Sequence, residues 1–210
     1  MFEAAGCGQS SEDRPLVEAL RRGEEAAFSV LLDRYYPAMM RVALAYVHSH
    51  AVAEEVVQET WLGLLQGLTR FAFHSSLQTW IFRILTNRAK TRGQRESRYV
   101  PLDSLGDDDL PEVPLERFGV VDHHWVTPPR RWTGSPEETT LAQETHVSIQ
   151  RAITTLPLNQ RAVITLRDME GWTADEVCHV LELSVANQRV LLHRARSTVR
   201  RALERYFDQR

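Results

Sequence analysis

Near the C-terminus, polar and basic side chains recur at a spacing suited to reading DNA bases. At helical intervals after Ser184 the chain carries Asn187, Arg189, His193 and Arg194. Asn and Arg side chains pair bidentately with adenine and guanine edges in the major groove, where a recognition helix presents them. An ordinary helical hairpin with a solvated basic face would show the same pattern. This stretch by itself leaves both interpretations open.

Basic residues are also concentrated in the middle of the chain. Residues 83–98 hold six basic side chains against one acid, and residues 184–210 hold seven arginines against two acids. Between them, residues 101–118 hold six acids and one arginine. Two basic segments therefore flank an acidic connector, which the net charge of −3 conceals. This distribution is compatible with DNA binding by the two basic segments.

The sequence offers little that is typical of an enzyme or a metal site. Cys7 and Cys178 have no Cys or His pair near them at ligand spacing, which argues against a disulfide framework or a zinc site. The adjacent His123 and His124 are a weak metal candidate. No phosphate-binding loop or nucleophile and base arrangement stands out. We therefore expect no catalytic residues, no metal and no cofactor.

The uncharged stretches of the chain are short. The longest, such as residues 42–53 and 71–82, run 12 residues, well short of the ~20 apolar residues that a membrane-spanning helix needs. The N-terminus carries acids where a secretory signal would have a basic start and an apolar run. We expect a cytoplasmic protein without membrane insertion.

Apolar residues before the central basic segment recur at helical spacing, which predicts that helices position this segment. Stripes run over residues 27–46, with an interruption at Pro37, and over residues 53–68. After a break at residues 71–76, a third stripe begins at Leu77. These stripes predict a helical bundle.

Helices are also predicted after the acidic connector. Ser135 and Ser184 are suited to N-caps, and Thr173 with Glu176 three residues later predicts a capping box. The helices are expected over residues 136–154, 158–169, 173–181 and 185–207. The last two, with the short turn between them, read as a helix-turn-helix.

The acidic connector is the best domain boundary. It collects prolines and glycines and loses helical periodicity, as an extended linker does. We predict an all-α fold of two small helical domains joined by a long flexible linker. The expected divisions are a flexible N-terminus at 1–13, a first domain at 14–98, an acidic Pro-rich linker at 99–134 and a second domain at 135–210.

Two sets of residues match one protein family in the correct order. The N-terminal set is the run from Ala53 to Trp61 and the run from Leu77 to Asn87. The C-terminal set comprises Leu156-Pro157, Arg161, Leu166, Gly171, Thr173, Glu176-Val177, Ser184 and the run from His193 to Arg196. Through these motifs the chain resembles the extracytoplasmic-function (group 4) sigma factors over residues 14–98 and 135–207.

The resemblance implies a subunit that binds RNA polymerase core, recognises −35 and −10 promoter elements and helps to melt the latter. In this family, region 2.2 contacts the clamp helices of the polymerase's largest subunits, and the core's flap is a further partner. The matching residues here are Glu55, Gln58, Glu59, Trp61 and Leu65. Trp61 and Leu65 fit a role in the core of the domain equally well. A controlling anti-sigma factor is also expected.

The resemblance assigns −10 recognition to the loop at 71–76 and to the helix after it. The residues concerned are Phe73, His74, Trp80, Arg83, Asn87, Arg88, Lys90, Arg92 and Arg95. The loop matches a specificity loop that receives a flipped base, Asn87 matches a base reader, and the basic residues match backbone contacts. Trp80 fits a core position as well as a DNA contact, and Arg83 fits a structural role.

The resemblance assigns −35 recognition to Asn187, Arg189, Val190, His193 and Arg194. This sequence departs from the family where Glu182 replaces a usual turn glycine, Cys178 a usual alanine, and Asn187-Gln188 a usual Thr-Val pair. The promoter sequence is therefore not predictable. The second interpretation is a stand-alone helix-turn-helix regulator whose N-terminal bundle binds a ligand or dimerises, and an enzyme is a distant third.

Overall fold

The computed structural model of the chain describes residues 9–99 and 136–208, and regular structure within these ranges is entirely helical. The first range contains α1 (Gln9–Arg21), α2 (Glu25–Leu44), α3 (His50–Gly67), a 3₁₀ turn (Leu68–Arg70) and α4 (Leu77–Tyr99). The second contains α5 (Pro136–Thr154), α6 (Leu158–Ile164), a π-helical turn (Thr165–Met169), α7 (Ala174–Leu181) and α8 (Val185–Asp208). The predicted all-α class is confirmed.

Helices α2, α3 and α4 enclose the core of the first domain. Its fully buried side chains include Leu31, Met39, Leu64, Phe82 and Leu85. They come from the apolar stripes of all three helices, as the periodicity predicted. The expected break before α4 is confirmed, since residues 71–76 separate the 3₁₀ turn from Leu77.

Pro37 does not interrupt α2, so the predicted interruption was wrong. The helix continues from Glu25 to Leu44 with Pro37 in its interior. Proline removes one backbone hydrogen bond and leaves the carbonyl four residues earlier without its helical partner. Both Pro37 and Asp33 lie on the exposed side of α2, where water can satisfy that carbonyl. Burial of Tyr35 and Met39 on the other side holds the helix together.

Residues 9–13, part of the segment expected to be flexible, belong to a helix. We expected residues 1–13 to be flexible, whereas α1 begins at Gln9. Val17 and Leu20 on this helix are buried against the bundle. Asp13 reaches the start of α4, where its Oδ2 accepts a hydrogen bond of 2.9 Å from the backbone nitrogen of Leu77. Residues 1–8 lie outside the described ranges.

Two glycines allow neighbouring parts of the first domain to approach α4 closely. A Cβ atom on Gly93 of α4 would lie 2.4 Å from the carbonyl oxygen of Tyr46, which follows α2. A Cβ atom on Gly63 of α3 would lie 2.7 Å from a guanidinium nitrogen of Arg88 on α4. Glycine sets the spacing at position 93, where the close atom belongs to the backbone, whereas at position 63 the flexible Arg88 side chain could move aside.

The second domain follows the predicted helices closely. The capping box of Thr173 and Glu176 is present, and Ser184 Oγ accepts a hydrogen bond from Asn187 N at the start of α8. The helix predicted at 158–169 ends in the π-helical turn. The predicted cap Ser135 and the linker between Tyr99 and residue 135 lie outside the described ranges.

The two domains pack against each other through α4, α7 and the turns beside α7. The Phe82 ring meets the Trp172 ring edge-on at 4.8 Å between centroids. Thr86 Oγ1 donates to the Val180 carbonyl at 3.3 Å. Ion pairs flank this contact, one joining Arg83 to Glu182 and the other joining Arg41 to Glu170.

Candidate protein-binding and nucleic-acid interfaces

One face of α3 combines acids, an amide and apolar side chains, all of them exposed. Helical spacing brings Glu55, Gln58, Glu59, Leu62 and Leu65 to this face. Leu62 and Leu65 are 60% and 45% exposed, so two apolar side chains lie next to each other on this surface. Such a face suits a partner helix that is partly basic and partly apolar.

Leu62 was missed from the sequence, although a signal was present. It lies three residues after Glu59 and three before Leu65, so it belongs to the same helical face. The family resemblance assigned core binding to the neighbouring Trp61 instead.

Trp61 lies in the core of the first domain, which is one of the two roles that its sequence left open. Only 7% of the residue is exposed, and its ring packs edge-on against Phe28 with 5.9 Å between centroids. It therefore supports α3 from behind. Leu62 and Leu65 are exposed and provide the apolar surface that Trp61 was expected to provide.

The acids of α3 pair with basic residues of α4. Arg88 donates to Glu59 at 3.1 Å, and Arg92 donates to Glu55 at 2.6 Å. The predicted polymerase-binding acids and two predicted DNA-binding arginines thus adjoin each other. Because the four side chains are partly exposed, each pair contributes roughly 0–1 kcal/mol and can exchange partners readily.

The loop at residues 71–76 is built on an aromatic cluster. The buried Phe71 ring lies 5.0 Å from Phe73 and 4.7 Å from Trp80, between ring centroids. Trp80 is half-buried and also covers Gly67, so most of its surface serves the packing of the loop. Phe73 is half-buried and His74 is exposed, which leaves both within reach of a ligand.

The polar face of α4 points toward the second domain. Asn87 and Lys90 are exposed, yet they line a cleft whose other wall is formed by Asn159 and the α7 turn from Val180 to Leu183. Arg83 nearby is paired with Glu182. Arg95, one turn beyond Lys90 and Thr91, is exposed.

Helix α8 presents the predicted −35 residues on one side. Asn187, Arg189, Val190 and Arg194 are exposed, and His193 is half-buried. The opposite side packs on α6 and α7 through Leu192 and Ala195. The helix therefore has the amphipathic arrangement that a recognition helix requires.

Two polar residues of α8, Arg196 and Gln188, differ in how their side chains are bonded. Arg196 forms a bidentate ion pair with Asp168 of the π-helical turn, at 2.8 and 2.6 Å. This hydrogen bonding raises the pKa of the Arg196 guanidinium, so its charge is secure. Gln188 is only 1% exposed, and its Nε2 has no hydrogen-bond partner in the structure.

Other kinds of site find little support in the described ranges. Among the residues that the structure describes, no three His, Cys, Asp or Glu side chains are grouped in a way that could hold a metal ion. None of the described helices is long and apolar enough to cross a membrane. The candidate histidines His123 and His124 lie outside these residues.

Comparison with known families agrees with this arrangement of surfaces. Residues 31–99 match the model for Sigma-70 region 2, and residues 146–205 match the model for Sigma-70, region 4. The RNA polymerase sigma-H factor of Pseudomonas aeruginosa is 29% identical over 193 residues, which span 92% of this chain and 94% of that protein.

Two solved structures share the fold at 20% sequence identity. One is CnrH in complex with the cytosolic domain of CnrY, with a TM-score of 0.59 over 91% of this chain and 97% of that one. The other is the sigma factor RpoE of Bartonella quintana in complex with the anti-sigma factor NepR, with a TM-score of 0.57 over 84% and 96%. With both of its helical regions matched in order, the chain belongs to the sigma-70 family as an extracytoplasmic-function sigma factor.

Proposed function

We propose that this chain binds RNA polymerase core and directs promoter-specific initiation, without catalysing a reaction itself. The observation that carries the proposal is the matched pair of domains, region 2 with region 4, in family order. Each domain presents an exposed surface of the chemistry that this role needs. The site of action would be the cytoplasm, where polymerase and promoter DNA meet.

The α3 face is the proposed core-binding surface. Its acids Glu55 and Glu59 suit a basic partner, and Leu62 and Leu65 provide the apolar area that a stable interface buries. Clamp helices of the polymerase's largest subunits are the partner expected for this face. The flap of the core is the partner expected for the second domain.

Promoter DNA would be read at two places. Helix α8 would enter the −35 major groove with Asn187 and Arg189, while Arg194 would bind phosphate or base. The loop at 71–76 and Asn87 would read the −10 element. Arg88, Lys90, Arg92 and Arg95 would hold its backbone, and stacking on an aromatic side chain compensates an extruded base by ~1–3 kcal/mol.

The packed arrangement of the two domains supports an inactive state of the free chain. Asn87 and Lys90 face the cleft beneath the α7 turn, so a duplex would reach them only after the domains separate. An anti-sigma factor that favours this arrangement would keep the protein inactive. The complex of RpoE with NepR makes a partner of that class a reasonable expectation here.

Run-off transcription tests the proposal directly. Purified core polymerase would be supplied with a library of candidate promoters, with and without this protein. We expect discrete transcripts that require the protein and are lost with Arg194→Ala and Asn87→Ala, while Arg205→Ala, near the end of α8, retains them. Reconstitution with Trp172→Ala, which weakens domain packing, would reveal activity masked by the closed arrangement.

The stand-alone regulator makes a different prediction. A folded protein that binds DNA without core polymerase, and yields no transcript with it, would refute the proposed function. Retention of the chain by core polymerase on a sizing column, lost on Leu62→Ser with Leu65→Ser, would exclude the regulator.

A further inference from the structure

We propose that helix α1 holds the loop at residues 71–76 in its binding conformation and so determines which base this loop accepts. Arg21 is the principal positioning residue. The inference rests on the proposed function, because it assumes that this loop reads the −10 element. It assigns a role in promoter specificity to a helix that comes before the matched region 2 segment, which begins at residue 31.

Arg21 binds the chain where the loop begins. Its Nε donates to the carbonyl of Leu68 at 3.1 Å, and one terminal nitrogen donates to the carbonyl of Phe71 at 2.6 Å. The Leu68 carbonyl also accepts a hydrogen bond of 3.3 Å from the backbone nitrogen of Phe71, the residue that follows the 3₁₀ turn, so Arg21 binds the turn that leads into the loop. A planar guanidinium spans both carbonyls, as a lysine ammonium cannot do with the same geometry.

Asp13 binds the chain where the loop ends. Its carboxylate accepts a hydrogen bond from the backbone nitrogen of Leu77, the first residue of α4. A negative charge is favourable at a helix N-terminus. Val17 and Leu20 are buried against the bundle, so Asp13 and Arg21 hold the two ends of the loop from one anchored helix.

Phe73 within the loop needs such support. Its φ angle of 57° lies in the left-handed region, which is unfavourable for a residue with a Cβ atom. Strained backbone of this kind persists where the surroundings over-determine it, and it is frequent at binding sites. Two guanidinium carbons lie over the Phe73 ring, that of Arg14 at 5.2 Å and that of Arg21 at 5.7 Å from its centroid.

These contacts together give α1 control over the shape of the loop. Cation–π contacts fix the Phe73 ring, and the hydrogen bonds of Arg21 and Asp13 fix the backbone on either side. An extruded base that enters the loop would meet a ring held by α1. Loosening this hold would change the selection of one base, while contacts of α4 with the rest of the −10 element would remain.

Selection from a randomised promoter library tests this inference. Holoenzyme would be assembled with the wild type, Arg21→Ala, Arg21→Lys or Arg14→Ala, and offered promoters randomised across the −10 element. The control is Arg22→Ala. Like Arg21→Ala, it removes one positive charge at the C-terminal end of α1, but the Arg22 side chain is exposed and is bonded to Glu24.

The expected result is a local loss of selectivity. Arg21→Ala should reduce the preference at one position of the element about tenfold, as the loss of charge-assisted hydrogen bonds implies. The preferences at other positions should stay unchanged, and Arg21→Lys should restore part of the loss. Arg22→Ala should select the same sequences as the wild type.

Other outcomes would overturn the inference. An unchanged pattern with Arg21→Ala, or an even loss at all positions together with a lower melting temperature, would show that α1 is only structural. If the wild-type holoenzyme selects no −10 sequence, the proposed function fails first and this inference with it.

A second measurement does not depend on polymerase. With 4-fluorophenylalanine at position 73, the ¹⁹F resonance of the full chain reports the surroundings of that ring. Arg14→Ala and Arg21→Ala should shift or broaden the resonance, whereas Arg22→Ala should not. An identical resonance in all four proteins would show that α1 does not hold Phe73.

Discussion

A terminal nitrogen of the Arg83 guanidinium lies 2.6 Å from a carboxylate oxygen of Glu182, so the turn of the helix-turn-helix binds an arginine of α4. The two side chains are 55% and 59% exposed, and a pair in such surroundings contributes roughly 0–1 kcal/mol. The association of the domains therefore depends more on apolar contact between Phe82 and Trp172. A DNA phosphate could replace the Glu182 carboxylate at little cost.

Trp172→Ala should separate the domains. The substitution removes the ring that meets Phe82 edge-on, and truncation of a buried tryptophan costs about 3 kcal/mol or more. The docking equilibrium should shift about a hundredfold toward the open form. Small-angle scattering should then show a larger radius of gyration, with Trp172→Phe as the control. Equal radii for the two variants would mean that other contacts hold the domains together.

Glu182→Gly should stabilise the second domain. Glu182 ends α7 with a φ angle of 56°, in the left-handed region where glycine is favoured. Relief of this strain should raise the free energy of unfolding by about 1 kcal/mol. Glu182→Gln removes the charge but retains the Cβ atom, so it should change stability by less than about 0.5 kcal/mol. Urea denaturation measures the free energy of unfolding of both variants. Equal changes in the two would argue against strain at position 182.

Leu62→Ser combined with Leu65→Ser should weaken core polymerase binding by about tenfold or more, because the central apolar residues of an interface dominate its affinity. The melting temperature should stay near that of the wild type, since both leucines are exposed. Val30→Ser removes an exposed apolar side chain from α2 and serves as the control.

Trp61→Ala should behave in the opposite way. The buried ring packs against Phe28, so its removal should lower the free energy of unfolding by about 3–5 kcal/mol. Thermal unfolding and polymerase titration on the same samples separate the two effects. Normal stability together with lost polymerase binding would indicate that Trp61 contacts polymerase directly.

Gln188→Met should stabilise the helix-turn-helix. The buried Nε2 of Gln188 has no hydrogen-bond partner, and an unsatisfied buried polar group costs about 1–3 kcal/mol. Methionine keeps a similar volume without this cost, so we expect a gain of about 1 kcal/mol in the free energy of unfolding. Gln66→Met, at an exposed position of α3, should have little effect. A loss of stability at position 188 would indicate that the amide is satisfied in solution.

Arg194→Ala should reduce the salt dependence of promoter binding by holoenzyme. Loss of one phosphate contact changes the slope of log affinity against log salt by about 0.9. Arg205→Ala, on the same helix beyond the exposed N-terminal half, should leave the slope unchanged. If the slope is unchanged with Arg194→Ala but base preference relaxes, Arg194 reads a base edge instead.

Local signals in the sequence were sufficient for the second domain. Thr173, Glu176 and Ser184 determine where helices begin through hydrogen bonds to neighbouring residues, so their positions could be predicted without knowledge of the fold. Periodicity gave α3 and α4 in the same way. The course of α2 past Pro37 could not be predicted, because burial of distant side chains outweighs the missing backbone hydrogen bond.

The sites were partly predictable for a similar reason. Helical spacing places Glu55, Gln58 and Glu59 on one face, but it does not say whether Trp61 or Leu62 faces the core. Burial decides that question, and burial depends on the packing of α2 against α3. The hydrogen bond from Arg21 to the Phe71 carbonyl joins residues 50 positions apart. No local sequence pattern predicts such a contact.

The close approach at Gly93 restricts which amino acids can replace this residue. Every replacement of this glycine by another amino acid introduces a Cβ atom, which here would lie 2.4 Å from the carbonyl oxygen of Tyr46. Either the turn at Tyr46 or helix α4, which carries Asn87 and Arg88, would have to move. Position 93 thus accepts no other amino acid without a backbone shift, although its residue touches neither polymerase nor DNA in the proposed function.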